Sequence, residues 1–422
     1  MSSKMPRRLF SPMGQAIFIC CLASLLPLYD FFIQVAPGVM IDGLMHSFNR
    51  DAASVGLLGA VFYLAYGIFQ PPSGYLIDRY GVKNILVIYT LLTAISSMVF
   101  ALTHSFAMII AMRLLAGFGF CIAFIACYYL AARLLPHKYF SLAAALLHLA
   151  GAVGAILAQA PLSMLVQQWG WRSAMFACGI AGFIIAIVFY LAIHVPKVES
   201  HHHQENQDRH FFYSFIKCIG NAQLRWIALS AFLGWLPMSV VGAMWGIPYL
   251  SKVYHWPMVK VSSLCSLFWV GSAVGGLLLS FVSEWYQRRK LPLVMSFMVA
   301  FICGVMLLQA NHFSPSVIGG CLFLMGITVC IQTMSFSLVK ENIAPQYFAL
   351  ASGINNFFSM MSGVLGQHLV GALLVYQSPL STSYTMAHYQ KALLIVPLAS
   401  LLGFIICGLK VRETFCQNVY VK

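Results

Sequence analysis

The sequence predicts an all-α membrane protein with twelve transmembrane helices in two pseudo-symmetric six-helix bundles. Three observations predict it: a composition unsuited to an aqueous surface, twelve apolar runs of span length, and basic residues confined largely to one side of them. Of 422 residues, 61% are hydrophobic and only 8% charged, with a mean hydropathy of +0.85. Soluble domains carry about 25% charged residues. So few charges cannot clothe a surface in water, whereas a bilayer asks for none on its lipid face.

A helix needs about 20 apolar residues to cross a hydrocarbon core of roughly 30 Å. In the first half such runs lie near Gln15 to Met40, Val55 to Leu76, Ile85 to Leu102, Ala107 to Leu130, Ser141 to Val166 and Ala174 to His194. A hydrophilic stretch then carries His201, His202, His203, Glu205, Asp208 and Arg209. The second half offers Leu224 to Leu250, Val259 to Val282, Leu291 to Leu308, Val317 to Leu338, Phe348 to Val375 and Ala392 to Lys410. We therefore expect an N-terminal bundle over 1–194, a cytoplasmic linker over 195–221 and a C-terminal bundle over 222–422.

Cytoplasmic loops retain Lys and Arg. With both termini in the cytoplasm, 18 of the 24 basic residues fall inside; Arg50, Arg172, Lys252, Lys260 and Lys391 fall outside, and Arg113 lies within a span. An odd number of spans spoils this partition. The basic start, Met1 to Arg8, precedes an apolar run with no small-residue cleavage site, so the first helix is expected to stay. With no Asn-X-Ser/Thr acceptor in the chain, the expected location is a bacterial inner membrane.

The net charge of +14 does not indicate nucleic acid, because the charges sit between apolar runs and are not gathered on one face beside stacking aromatics. The Cys residues lack metal or redox spacing. Three consecutive His in a polar linker read as a solvated loop, so no metal site is expected. No G-x-x-x-x-G-K-[ST] loop is present, which removes ATP as direct driver, and no nucleophile, base and orienter can be assembled into an enzyme site.

After the second span comes Gly74-Tyr75-Leu76-Ile77-Asp78-Arg79-Tyr80-Gly81-Val82-Lys83, with Leu86 three residues on. It resembles the signature loop of the major facilitator superfamily, G-x-L-x-D-R-x-G-x-[RK]-x-x-[LI], at every specified position. Gly81 permits a tight turn there, and Asp78 can face the positive end of another helix. The resemblance implies a conformational gate of Gly74, Asp78, Arg79, Gly81 and Lys83, with the start of the eleventh helix near Phe348 as partner. In the second half, Ser283-Glu284-Trp285-Tyr286-Gln287-Arg288-Arg289-Lys290 occupies the corresponding place without the glycines, Glu284 standing for Asp78. Arg113-Leu114-Leu115-Ala116-Gly117-Phe118-Gly119 is similar to the family's fourth-helix pattern. Gly151, Gly154 and Pro161 match its fifth helix loosely, Ala158-Gln159-Ala160 replacing the usual glycines.

Chemistry inside the membrane is sparse. Nine of ten acidic residues lie in loops or near span ends, leaving Asp30 mid-helix, where a carboxylate costs roughly 2.5–3.5 kcal/mol and normally faces a cavity or partner. At 1.5 Å per residue, Asp30 lies roughly 15 Å and Arg113 roughly 9 Å below the outer ends of their helices, close enough to meet in one layer. A proton-coupling pair, a fixed ion pair, or an Asp that hydrogen-bonds solute are the readings open. Helices one, four, seven and ten line the path in this family. The expected solute residues are Tyr29, Gln34, Trp235, Trp245 and Gln332, with Asn355 and Asn356 on helix eleven; interfacial or interhelical packing is the alternative for each. Gln70, His148 and His368 are expected to pack.

What the resemblance implies is a monomeric secondary transporter, driven by a proton gradient with no bound cofactor. Its partners are a small neutral or zwitterionic solute and the lipid bilayer. Proton-coupled import leads, followed by facilitative uniport, efflux antiport and a non-transporting sensor. The stretch from Tyr29 to Met40 is similar to the first helix of phagosomal nutrient transporters of intracellular bacteria, which import amino acids or nucleosides.

Overall fold

The computed structural model describes residues 12–70, 72–136, 139–193, 207–329, 331–379 and 383–419. Among them, eleven helical stretches are long and apolar enough to cross a membrane. One, Leu142–Ala192, runs 51 residues, or about 76 Å, more than twice the hydrocarbon thickness. It turns at Gly170, whose φ of 77° and ψ of 159° leave the helical region. That stretch is therefore two spans, and the total is twelve.

The breaks follow backbone chemistry. Span 1 is helical over Pro12–Ala23 and Leu25–Val35, tightens to a 3-10 turn at Ala36–Val39, and continues as Ile41–Phe48. Pro37 supplies no N–H at the tightening. Span 2 was expected unbroken from Val55 to Leu76; instead Ala52–Phe69 and Ser73–Tyr80 are separate helices, parted where consecutive prolines stand in the sequence. Gly81 then turns the chain into Val82–Leu102 with φ 82°, as the signature loop requires. Span 4 divides into Phe106–Phe120 and Ala123–Leu134, and span 10 into Pro315–Thr328 and Ile331–Glu341. Span 7 is an α-helix over Ala222–Pro237, a π-helix over Met238–Trp245, and an α-helix again over Gly246–Tyr254.

Twelve crossings put Pro12 and Val419 on one side, called here the tail side. Span 2 lies along span 11, Phe348–Gln377, for most of its length. Small residues permit the approach: Gly56 faces the backbone of Gln367, and Gly371 that of Ala52. On the far side the ends of spans 1 and 7 meet, Gly38 against the Ala243 backbone. The tail-side halves of spans 4 and 10 share no comparable packing. The two halves thus meet at the far side.

The polar stretch before span 7 departs from a plain connector, because Gln207–Gly220 is helical. His201, His202 and His203 lie outside the described residues.

Candidate functional site

Pro37 explains where Arg113 goes. A helical residue 37 would donate its N–H to the Ile33 carbonyl; proline cannot, and an orphaned buried carbonyl is costly. Arg113 fills the gap, with Nη1 donating to Ile33 O at 3.0 Å and Nε to Leu58 O at 3.2 Å. Its guanidinium carbon lies 4.6 Å from the centroid of the Phe62 ring. The side chain is 2% exposed, so spans 1, 2 and 4 are pinned together by one buried cation.

Asp30 sits one turn before Ile33 and is 1% exposed. Neither carboxyl oxygen has a hydrogen-bond partner in the protein. The two groups that the sequence places in one layer each lie within electrostatic reach of Tyr63, and no ion pair joins them. Arg113 is spent on backbone carbonyls, and Asp30 remains among Tyr63, Tyr66 and Cys121.

The expected solute residues divide. Tyr29 turns away from the interface between the halves: its hydroxyl donates to the Cys178 carbonyl in span 6 at 3.0 Å, and its ring meets Phe120 edge-on. Trp245 is wholly buried, donating to the Gln367 carbonyl at 3.0 Å. Packing holds both. Gln34 lies beside Tyr63, whose hydroxyl makes no well-formed hydrogen bond, as is also true of the Trp235 indole N–H.

Gln332, Asn355 and Asn356 form a polar cluster in the C-terminal half. Gln332 donates to Asn356 at 3.0 Å and accepts from the Ser359 hydroxyl at 2.6 Å, while Asn355 donates to Ser335 at 2.8 Å. Asn356 in turn donates to Gln70 of span 2, which carries the cluster across to the other half. Gln70, expected to pack, is a bridging residue.

Gln159 is a further bridge that sequence reasoning missed. Its amide donates to the Gly242 carbonyl at 3.0 Å, and the Trp269 indole donates to the same oxygen at 3.2 Å. Gln367 donates to the Ser239 carbonyl at 2.6 Å. All three bonds land on the π-helical stretch of span 7, where widened winding disturbs the α-helical ladder. The available signal was an amide inside an apolar run.

His148 was expected to pack. It is solvent-accessible, yet it shares a helix face with Gly151, which packs on Phe31. The lipid-facing stripe of Leu142, Leu146, Leu149, Val153 and Leu157 lies on a different face. His148 Nε2 lies 3.2 Å from the Tyr128 hydroxyl, with the Phe124 ring 5.4 Å away. Phe31 joins Phe124 at 6.0 Å and Trp269 at 5.8 Å. An aromatic wall with one imidazole thus spans both halves beside Asp30.

At the signature loop, Arg79 is exposed near the Tyr80 ring, and Lys83 Nζ lies 4.9 Å over Tyr190. The side-chain surroundings of Gly74 and Asp78 lie outside the described residues. In the second half's loop, Glu284 is exposed. Arg289 instead pairs with Glu341 at 3.0 Å and donates to Ser283 at 3.0 Å. Glu413 receives the backbone N–H groups of Arg289 and Lys290 at 2.8 and 3.0 Å, capping span 9 with negative charge.

This architecture can be set against known proteins. The family model of the Major Facilitator Superfamily matches residues 8–367. The chain belongs to that superfamily. It is therefore a multi-pass membrane transporter and not an enzyme. Among curated relatives of this superfamily member, a probable hexose phosphate transport protein of Chlamydia trachomatis is 21% identical over 382 residues, 81% of each chain. Among solved structures, the nucleoside transporter NupG superposes with a TM-score of 0.73 at 16% identity, covering 92% of this chain and 99% of that one. A D-xylose–proton symporter gives 0.73 at 14%, covering 96% and 100%. At such identity the structures establish the shared fold.

Proposed function

We propose that this superfamily member is a proton-coupled importer of a small neutral or zwitterionic solute. In this reading it works as a monomer in a bacterial inner membrane, with both termini cytoplasmic, and the bundles over 1–194 and 222–422 rock about the shared site. The observation that carries the reading is Asp30, a buried acid with no protein partner beside an aromatic wall shared by both halves. Burying a carboxylate without donors costs several kcal/mol, roughly, so this pocket suits the neutral acid. Parting the halves on the far side would admit water to the site and let the proton exchange. Alternation between the two surroundings couples proton to solute.

The solute class follows from what the path offers. Arg113 is already bonded to two carbonyls, which argues against a multiply anionic cargo such as the sugar phosphate in the Chlamydia relative's name. Gln34, Trp235, Gln332, Asn355, Asn356 and His148 offer hydrogen bonds to hydroxyl, amide or amino groups, and Phe31, Phe124 and Trp269 offer apolar faces. Those groups suit a nucleoside, sugar or amino acid.

A thermal-shift screen of purified protein against these three classes identifies the solute. Uptake into proteoliposomes with an imposed pH gradient then tests coupling. Wild type should accumulate solute above the external concentration, while Asp30→Asn should only equilibrate it. Full accumulation by Asp30→Asn removes Asp30 from the mechanism, and equilibration by both proteins makes the chain a uniporter.

A further inference from the structure

We propose that the helix Gln207–Gly220, on the tail side, is an anchor that lies in the membrane surface and selects anionic phospholipid. On the orientation proposed above, that surface is the inner leaflet. The helix packs against spans 7 and 11, with Cys218 fully buried. Turning by 100° per residue away from Cys218 brings Ile219, Ile216 and Tyr213 in succession onto the outward face. These side chains are 42%, 64% and 61% exposed. Outside the spans, none of the described residues covers this arc, and span 7 enters the bilayer at Ala222, two residues past the helix end. The acyl boundary is the apolar phase within reach, and an amphipathic helix lies in that plane.

The charge around the helix chooses the lipid. Residues 213–226 contain no acid. Lys217 flanks the apolar arc and lies 3.5 Å from the Tyr347 hydroxyl. Exposed Arg225 follows, and Gln223 ties the end of span 12 to the same corner by bonding the Lys410 carbonyl and the Arg412 N–H, each at 3.0 Å. Lys410 lies over the Trp226 ring. Asp208, near the start of the helix, is followed directly by Arg209, and Glu413, next to Arg412, is engaged at the start of span 9. Basic side chains at the headgroup level, framed by Trp226 and Tyr347, match a phosphate-bearing anionic surface.

The test uses the full chain in nanodiscs containing equal amounts of phosphatidylglycerol and phosphatidylcholine, with the photoreactive residue benzoyl-phenylalanine at position 216. Irradiation should yield lipid adducts, with phosphatidylglycerol in about fivefold excess, the scale expected for one basic residue at the surface. Lys217→Glu combined with Arg225→Glu should bring the two adducts to parity. Equal adducts in the chain that keeps Lys217 and Arg225 overturn the lipid selection, and adducts to a second copy or to another segment of this chain overturn the anchor. If position 216 tolerates the probe poorly, position 219 carries it on the same arc. Nanodiscs are accessible from both sides, so the result is independent of orientation and of solute coupling.

Discussion

Replacing Arg113 by Lys keeps the charge and removes the geometry, which makes it the sharpest perturbation of the site. The guanidinium serves Ile33 and Leu58 together, while an ammonium reaches one carbonyl at best. A hydrogen bond from a charged donor is worth about 1.5–3 kcal/mol, and the guanidinium over Phe62 adds up to about 2 kcal/mol when desolvated. A loss of about 2–4 kcal/mol is expected in sum, allowing for what lysine retains. Unfolding entropy of about 2.1 cal/mol/K per residue across 422 residues converts each kcal/mol into about 1 °C, so the thermal midpoint in detergent should fall by about 2–4 °C. Pro37→Ala then supplies the N–H that Ile33 lacks. In the Arg113→Lys background it should recover about 1 kcal/mol, whereas in wild type it should gain nothing. The four proteins form a double-mutant cycle read by thermal unfolding. Additive effects, with no recovery, would refute the proposal that Arg113 occupies the place of a missing backbone donor.

Three further outcomes follow from the same geometry. Gln159→Ala removes the amide bond to Gly242 between the halves, worth about 0.5–1.5 kcal/mol, and should raise labelling of a far-side reporter cysteine about two- to tenfold; unchanged labelling separates Gln159 from closure. Glu341→Gln leaves the buried Arg289 unpaired, at a cost of about 3–5 kcal/mol, seen as a lower thermal midpoint that Arg289→Gln partly restores; an unaffected midpoint means the pair is solvated. Gly371→Leu forces a side chain against the Ala52 backbone and should abolish solute uptake while expression persists; normal uptake means that spans 2 and 11 need not approach there.

The fold was legible because lipid imposes simple demands. Every span was visible as an apolar run, and the Gly81 turn was readable from a motif whose physical reason is a positive φ. Interior breaks were less legible: Pro37 and Pro237 mark disturbances, but neither tells a 3-10 turn from a π-helix, which depends on what the freed carbonyls meet. The site was legible in part. Asp30 stood out by cost alone, and Gln332, Asn355 and Asn356 did so as amides in apolar surroundings. Tyr29 and Trp245 were less legible, since an aromatic with a polar tip serves packing equally well when a carbonyl such as that of Cys178 or Gln367 lies within reach. Gln159 and Gln70 gave the same signal as Gln332, but their partners lie in the other half, and no local pattern reports contacts across some 80 or more residues of chain. His148 required knowing which face of its helix meets lipid. Glu284 stood out only by its position in the repeat, which carries no information about burial, and the structure leaves it exposed.

The central claim is that solute and proton cross together through Asp30. Proteoliposomes loaded with a pH-sensitive dye, given solute with no imposed gradient, test it directly. The lumen should acidify on solute addition with wild type and stay at its starting pH with Asp30→Asn. Equal acidification by both proteins, or solute uptake by wild type with no pH change, would contradict the account.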